Sequence, residues 1–295
     1  MRPIDDLAYG AFRALILICR RLPAGVSLAV WRALGWLAGN VLRLRRGVVD
    51  RQLASCYPDR SSRERTRLAS GVYDHLARTM AELLGPATPD GAAAVRVQPG
   101  WEAVDLALAS GRGAIIASAH LGNFELGGRV LAARYRLLDV VKPMRNRRFD
   151  GWLQAERRRH GIGTVTVDGA APAVLAHLRG GGLVSLLLDQ DAGAGGIRLP
   201  FLGREASAWP GAARFSLQTG CPVIPMGIIR QPDGSHVLHV GPVLDPAGRR
   251  SDEQGIRLYA AEISLAVEAW IRLAPEQWFW VHRRWKEVER SGRRS

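Results

Sequence analysis

The chain has 295 residues, 47% of them hydrophobic, which is enough for a sizeable core in one large domain or two small ones. Lysine and arginine number 41 against 27 acids, and the formal net charge of +14 suits an anionic partner: nucleic acid, a phospholipid surface or an acidic protein. Three scattered cysteines, Cys19, Cys56 and Cys221, exclude a disulfide framework and a Cys/His metal spacing, and they fit a reducing compartment.

The N-terminus shows no secretory cleavage site, although an apolar region starts almost at once. Residues 7–19 are apolar apart from Arg13, and residues 22–42 are apolar apart from Arg32. Arginines at 20, 21, 43, 45 and 46 flank the second run. That run is long enough to span a bilayer. Arg32 lies at its centre, however, where a charge costs roughly 2.5–3.5 kcal/mol. Gly25, Gly35, Gly39 and Asn40 weaken it further. The pattern favours amphipathic helices lying in the interface, with arginines on phospholipid headgroups. A true span and a pair of buried core helices are the alternatives. Residues 1–46 are thus expected to be membrane-associating helices, and residues 47–295 the domain that carries the chemistry.

Residues 47–60 read as a polar connection. Ser61 and Glu64 form a capping-box pattern, so a helix is expected to follow to about Leu84, with Leu68, Val72, Leu76, Met80 and Leu83 on one face. Residues 101–110 read as a short helix. Strands are expected at 113–118, 138–142, 163–167 and 183–189, with helices at 122–135, 147–160 and 170–179 between them. This alternation predicts an α/β fold with a mixed, mainly parallel sheet flanked by helices. A Gly-rich loop follows at 193–196. A helix at 210–220, strands at 223–229 and 236–240 joined by a Pro-Asp-Gly turn, and a helix at 252–273 complete the pattern. The end is aromatic and basic. Trp278, Trp280 and Trp285 suit core packing, a membrane interface or stacking on nucleic acid.

The stretch Ala119-His120-Leu121-Gly122-Asn123-Phe124-Glu125 joins a buried strand to a helix. Open α/β sheets place their chemistry at the carboxyl ends of strands. A histidine there can act as a general base, and Glu125, about one turn on, is placed to orient its imidazole. Gly122 and Asn123 open a helix whose free N–H groups can face an anion or oxyanion. Lys142, Arg145 and Asn146 leave the next strand at the same edge and could hold phosphate or a polarised carbonyl. Asp189, Gln190 and Asp191 end the fourth strand there, where an acid could orient a substrate hydroxyl or fix an arginine. Arg204 is a further phosphate candidate, and Arg158 lies in a basic helix end. No nucleophile elbow, Walker motif or Gly-x-Gly-x-x-Gly after the first strand is present. No second histidine near His120 supports a metal, so no metal or other cofactor is expected.

These residues resemble the bacterial acyltransferases of lipid A biosynthesis, the late or secondary acyltransferase family of the lysophospholipid acyltransferase type. His120 to Glu125 is similar to the family's His-x4-Asp/Glu motif. Lys142-Pro143-Met144-Arg145-Asn146, Asp189-Gln190-Asp191, Pro200-Phe201-Leu202-Gly203-Arg204, Pro222-Val223-Ile224-Pro225 and the block from Pro275 to Lys286 resemble further family elements in the same order. Two positions depart. Lys142 stands where the family usually has Arg, and the two differ wherever bidentate contact matters. Ala119 replaces the Asn of the glycerolipid branch, which argues against glycerol-3-phosphate or lysophosphatidate as acceptor.

The resemblance implies an O-acyltransferase at the cytoplasmic face of the inner membrane. His120 would take the proton of an acceptor hydroxyl, and Glu125 would orient and charge-stabilise it. The oxygen would attack a thioester on acyl carrier protein or coenzyme A without a covalent enzyme intermediate. Backbone N–H groups near Gly122, or a basic residue, would hold the oxyanion. The implied acceptor is a phosphorylated glycolipid, the lipid A precursor. A phosphatidylinositol mannoside or another lysolipid is the alternative acceptor. A non-enzymatic protein binding membrane or nucleic acid is the remaining alternative, and nucleic acid is disfavoured because the arginines are spread through the chain and no recognised module is present.

Overall fold

The computed structural model describes residues 3–86 and 95–291. The chain opens with α1 (Pro3–Cys19) and α2 (Ala24–Trp36), the latter running on into a π-helical turn (Leu37–Val41). α3 (Arg46–Cys56) and α4 (Ser62–Leu84) follow. The α/β part comprises β1 (Val95–Val97), α5 (Glu102–Ala109), β2 (Ala114–Ser118), α6 (Phe124–Ala132), β3 (Leu137–Val141), α7 (Arg147–Arg159), β4 (Gly163–Thr166), α8 (Ala170–Arg179) and β5 (Leu183–Leu187). A hairpin, β6 (Ile197–Phe201) and β7 (Arg204–Ala208), precedes α9 (Gly211–Thr219), β8 (Val223–Arg230), β9 (His236–Val240), α10 (Glu253–Leu273) and α11 (Lys286–Ser291).

Seven strands form one sheet in the order β1-β9-β8-β2-β5-β3-β4. Every neighbouring pair is parallel except β8 with β9, so the sheet is mixed and mainly parallel, as the alternation of elements predicted. β2 lies at the centre and is buried on both faces, which is why 114–117 reads as an unbroken apolar run. Ile115 and Ala117 face a core built from α8, α9 and α10, whereas Ala114 and Ile116 face α5 and α6.

The capping box forms as expected. Ser61 Oγ accepts from Glu64 N, and Glu64 Oε2 accepts from Ser61 N. The buried face of α4 departs from the apolar reading: Met80 is exposed, and His75 and Thr79 are buried instead. Residues 47–60 are no mere connection. α3 occupies most of that stretch and buries Val48, Val49, Gln52 and Leu53. Gln52 Nε2 donates to Trp280 O and His282 O, so a polar side chain ties this helix to the distant C-terminal segment. The hairpin β6–β7 was also outside the sequence pattern, which showed only a glycine loop and a Phe-x-Gly-Arg element.

Among the described residues no helix is long and apolar enough to cross a membrane. Arg32, the charge at the centre of the second apolar run, donates to Asp74 on α4 at 2.6 Å. Gly39 lies against the Tyr73 ring, where a Cβ would approach ring carbons to 2.4 Å. These features seat α2 on α4. Many large apolar residues of the region nevertheless remain exposed, among them Leu7, Leu17, Ile18, Trp36, Val41 and Leu42. The three C-terminal tryptophans, by contrast, are core: Trp278, Trp280 and Trp285 are all buried.

Candidate active site

Parallel register brings the two ends of the site together. Ser118 of β2 pairs with Leu187 of β5, so the positions two residues beyond each strand, His120 and Asp189, face one another at the carboxyl edge. The side-chain geometry follows. Asp189 Oδ1 lies 2.8 Å from His120 Nδ1, and Asp189 Oδ2 accepts from the His120 backbone N–H at 3.0 Å and from the Trp278 indole at 2.7 Å. The imidazole is 21% exposed and the carboxylate 2%, so the imidazole is reachable from outside and the carboxylate is not. Burial alone would raise the Asp189 carboxyl, but His120 and the indole N–H outweigh it and hold it down to about 2. An ionised Asp189 therefore accepts the Nδ1 proton and leaves the Nε2 lone pair outward. Gln190 Nε2 sits 3.3 Å from that Nε2. The Phe124 and Phe279 rings flank the imidazole at 4.9 and 6.0 Å between centroids.

The acid that meets the imidazole is thus Asp189, where Glu125 was the expectation. Glu125 does not meet the imidazole; its two carboxylate oxygens are taken by the Arg157 guanidinium, through Nε at 3.1 Å and through Nη2. Both partners of this pair are nearly buried. Local spacing placed Glu125 one helical turn from His120, but the first turn of α6 aims it at the end of α7, and the adjacent strand supplies the acid instead. Glu125, Arg157 and Phe124 line a small cavity of about 60 Å³ whose remaining walls are mostly apolar, from Ile116, Val141, Leu187 and Ile228 among others. Asp139 also faces it, and burial pushes its carboxyl up to about 7.

Gly122 and Asn123 are tied into the protein's own framework. Gly122 N donates to Gln277 O at 3.0 Å, so that N–H is not open to an oxyanion. Its φ is +57°, and a Cβ there would sit 1.8 Å from Ile228 O. Asn123 is buried, caps α6 by accepting from Leu126 N, and donates to Glu82 Oε2. Glu82 also accepts from Arg230 Nε and Nη2, and His236 Nε2 lies 3.3 Å away. Arg230 Nη1 donates into His75 Nδ1. An arginine can only donate, so the proton of His75 sits on Nε2 and points to Gly122 O at 3.3 Å. This network, buried except at Glu82, grips the loop after β2 from behind, and nothing in the spacing of its members announced it. The one visible trace was an arginine ending an apolar strand, at Arg230.

The remaining candidates scatter. Lys142 and Arg145 are exposed beyond the end of β3, while Asn146 Oδ1 caps α7 by accepting from Arg148 N and Phe149 N. Arg158 is exposed in the last turn of α7, roughly 18 Å along the helix from Asn146 at 1.5 Å per residue, so the fold does not gather it with Lys142 and Arg145. Asp191 Oδ1 accepts from Glu287 N at 3.4 Å. Arg204 stacks over Trp285 at 4.7 Å and lies 3.9 Å from Glu289. Arg284, which the sequence offers only as one residue of the Pro275–Lys286 block, is fully buried and donates to the carbonyls of Gln190 and Ser207, fixing the loop that carries Asp189. Burial lowers its guanidinium to about 10. Among the described residues no group of three or more His, Cys, Asp or Glu is arranged to hold a metal.

A histidine backed by a buried carboxylate at the carboxyl edge of a parallel sheet is suited to general-base chemistry. The chain matches the model of the bacterial lipid A biosynthesis acyltransferases over residues 7–287; it belongs to that family and is an acyltransferase. It is 26% identical over 275 residues to the lipid A biosynthesis palmitoleoyltransferase of Escherichia coli (strain K12), covering 90% of this chain and 87% of that one. It is 26% identical over 272 residues to the lipid A biosynthesis lauroyltransferase of the same organism, at the same coverage. A phosphatidylinositol mannoside acyltransferase of Mycobacterium tuberculosis is 27% identical over 139 residues, covering 44% of this chain and 43% of that one.

Proposed function

We propose that this enzyme moves a fatty acyl chain from an acyl thioester to a hydroxyl of a phosphorylated glycolipid, the lipid A precursor, at the cytoplasmic face of the inner membrane. The observation that carries the reading is the hydrogen bond from His120 Nδ1 to the buried Asp189. The acceptor hydroxyl displaces the Gln190 amide from His120 Nε2 and gives its proton to that nitrogen. The freed oxygen bonds to the thioester carbonyl carbon, the C–S bond breaks, and the imidazolium returns the proton to the leaving thiolate. Asp189 stays ionised and stabilises the imidazolium throughout. The Gln190 side chain, once displaced, is free to donate to the oxyanion. The cavity beside Phe124 receives part of the acyl chain along its apolar wall of Ile116, Val141, Leu187 and Ile228.

Two surface features support anionic and lipidic substrates. A cleft of about 630 Å³ between α3 and α11 is lined by Arg51, Arg204, Arg283, Lys286 and Arg290 against a single acid, Glu289. It adjoins the Asp189–Asp191 loop through the Asp191–Glu287 contact, and it suits an acidic carrier protein or the phosphates of coenzyme A. The exposed apolar residues of α1, α2 and the π-turn suit contact with a bilayer.

The test is acyl transfer from a labelled acyl thioester, on acyl carrier protein and on coenzyme A in parallel, to a lipid A precursor and a panel of other lysolipids. Wild type is expected to acylate the lipid A precursor and His120→Ala to lose the activity. Equal rates in the two proteins would remove His120 from the chemistry, and exclusive use of another acceptor in the panel would replace the proposed substrate.

A further inference from the structure

α1 is held on α7 by aromatic contacts. Phe12 meets the Phe149 ring at 4.7 Å and the Trp152 ring at 5.6 Å, both edge-on, and Tyr9 meets Phe149 at 5.4 Å. Beside this staple runs an open groove of about 490 Å³. α1 contributes Arg13 to it, the turn after α1 contributes Arg20, and α7 contributes Arg147, Arg148 and Arg159; among the described residues Glu156 is the one acid that lines it. Three of the five guanidiniums have partners: Arg148 with Asp6, Arg159 with Glu156, and Arg13 with the Tyr9 hydroxyl. Among the described residues no acid lies within ion-pair distance of Arg20 or Arg147.

Helix energetics make the arrangement more telling. Arg147 and Arg148 begin α7, where the partial positive charge of the helix terminus disfavours a cation. An anion in the groove would offset that cost and would meet planar donors able to grip phosphate oxygens in pairs. The second property of the groove is apolar. Ile16, Leu17 and Trp152 line it, and Leu17, Ile18 and Leu7 of the same helix are exposed. A freely soluble anion gains nothing from such a rim, whereas a lipid, with a phosphate at one end and chains at the other, uses both parts.

We propose that the groove between α1 and α7 is a binding site for the phosphate headgroups of anionic membrane lipids, with Arg147 and Arg20 towards its two ends. This rests on the membrane association proposed above. It places a reader of headgroup charge beside the apolar contact that α1 makes.

The test uses the full-length protein and co-sedimentation with vesicles of phosphatidylcholine, with or without phosphatidylglycerol. Wild type is expected to bind the phosphatidylglycerol vesicles more tightly. Arg20→Gln/Arg147→Gln is expected to lose about 30-fold of that affinity, from about fivefold per basic residue at an anionic surface. Arg147→Gln alone is expected to lose about fivefold. Arg96→Gln/Arg179→Gln removes the same charge from exposed positions elsewhere and is expected to stay close to wild type. Melting midpoints confirm that each variant is folded. Equal losses in the two double variants would overturn the groove in favour of overall charge, and displacement by inorganic phosphate would make the site one for a soluble anion. Failure of wild type to prefer phosphatidylglycerol would overturn the proposal outright. His120→Ala should bind vesicles as wild type does, so a failed acyl-transfer assay and a failed binding assay remain distinguishable.

Discussion

At His120 two carboxylates competed for one role. Glu125 was adjacent in sequence and Asp189 was adjacent in space, and the imidazole pairs with the second. The two acids therefore lead to different mutant behaviour. Asp189→Asn keeps the volume and the Trp278 contact but replaces the charge that holds the Nδ1–H tautomer. It is expected to lower kcat by about 10²–10⁴-fold, the usual worth of general-base assistance, with the melting midpoint little changed. Glu125→Ala leaves the nearly buried Arg157 without its partner, and breaking such a pair costs about 3–5 kcal/mol. Its dominant effect is expected in the denaturation midpoint, with kcat per folded molecule falling less than for Asp189→Asn. The opposite ranking in a paired urea-denaturation and steady-state experiment would return the orienting role to Glu125.

At the scale of elements, the chain between β2 and α6 shows why some of the site was legible and some was not. Strands and helices follow from short-range periodicity, so the sheet, the helices between its strands and the position of His120 at a strand end could all be read directly. The facing of His120 and Asp189 depends on which strands are neighbours. β5 inserts between β2 and β3, and periodicity within a strand carries no such information. Support from behind was hidden for a related reason: His75, Glu82 and Arg230 come from α4 and β8, far apart in the chain. From sequence alone Gly122 suggests a donor to substrate, because a glycine opening a helix commonly serves an anion. Here it is a spacer pressed against β8, with its N–H and C=O both engaged. Gly122→Ala is expected to fail on two counts, the positive φ and the clash with the Ile228 carbonyl. Loss of soluble folded protein, or a melting midpoint well below wild type together with collapsed activity, would bear this out. A stable, active Gly122→Ala would show that the loop has more room than its contacts imply.

Across the whole molecule, the network behind the loop also links pH to stability. Burial, and then the Arg230 guanidinium beside it, lower the His75 imidazole to about 3, so the folded protein keeps it neutral. An unfolded histidine titrates near 6.5. Because the folded value is depressed, the stability conferred by a neutral His75 is fully present above pH 6.5 and drains away as pH falls toward 3, while the unfolded chain takes up a proton that the folded one refuses. Glu82 acts in a different window. Burial would raise its carboxyl, but His236 and Arg230 outweigh it and hold it to about 2, so its contribution is lost only below about pH 4. Between pH 7 and pH 5, His75 alone should therefore remove about 2 kcal/mol, at about 1.4 kcal/mol per pH unit once the unfolded chain is protonated. Burial lowers His239 and His282 as well, so wild type should lose more than this over the same interval. His75→Gln keeps an amide N–H able to reach the Gly122 carbonyl and removes the titration. In urea denaturation at pH 7 and pH 5, the stability lost by this variant should be smaller than that lost by wild type by about 2 kcal/mol. An identical loss in the two proteins would mean that His75 already carries its proton in the folded state, and Arg230 could not then donate to its Nδ1.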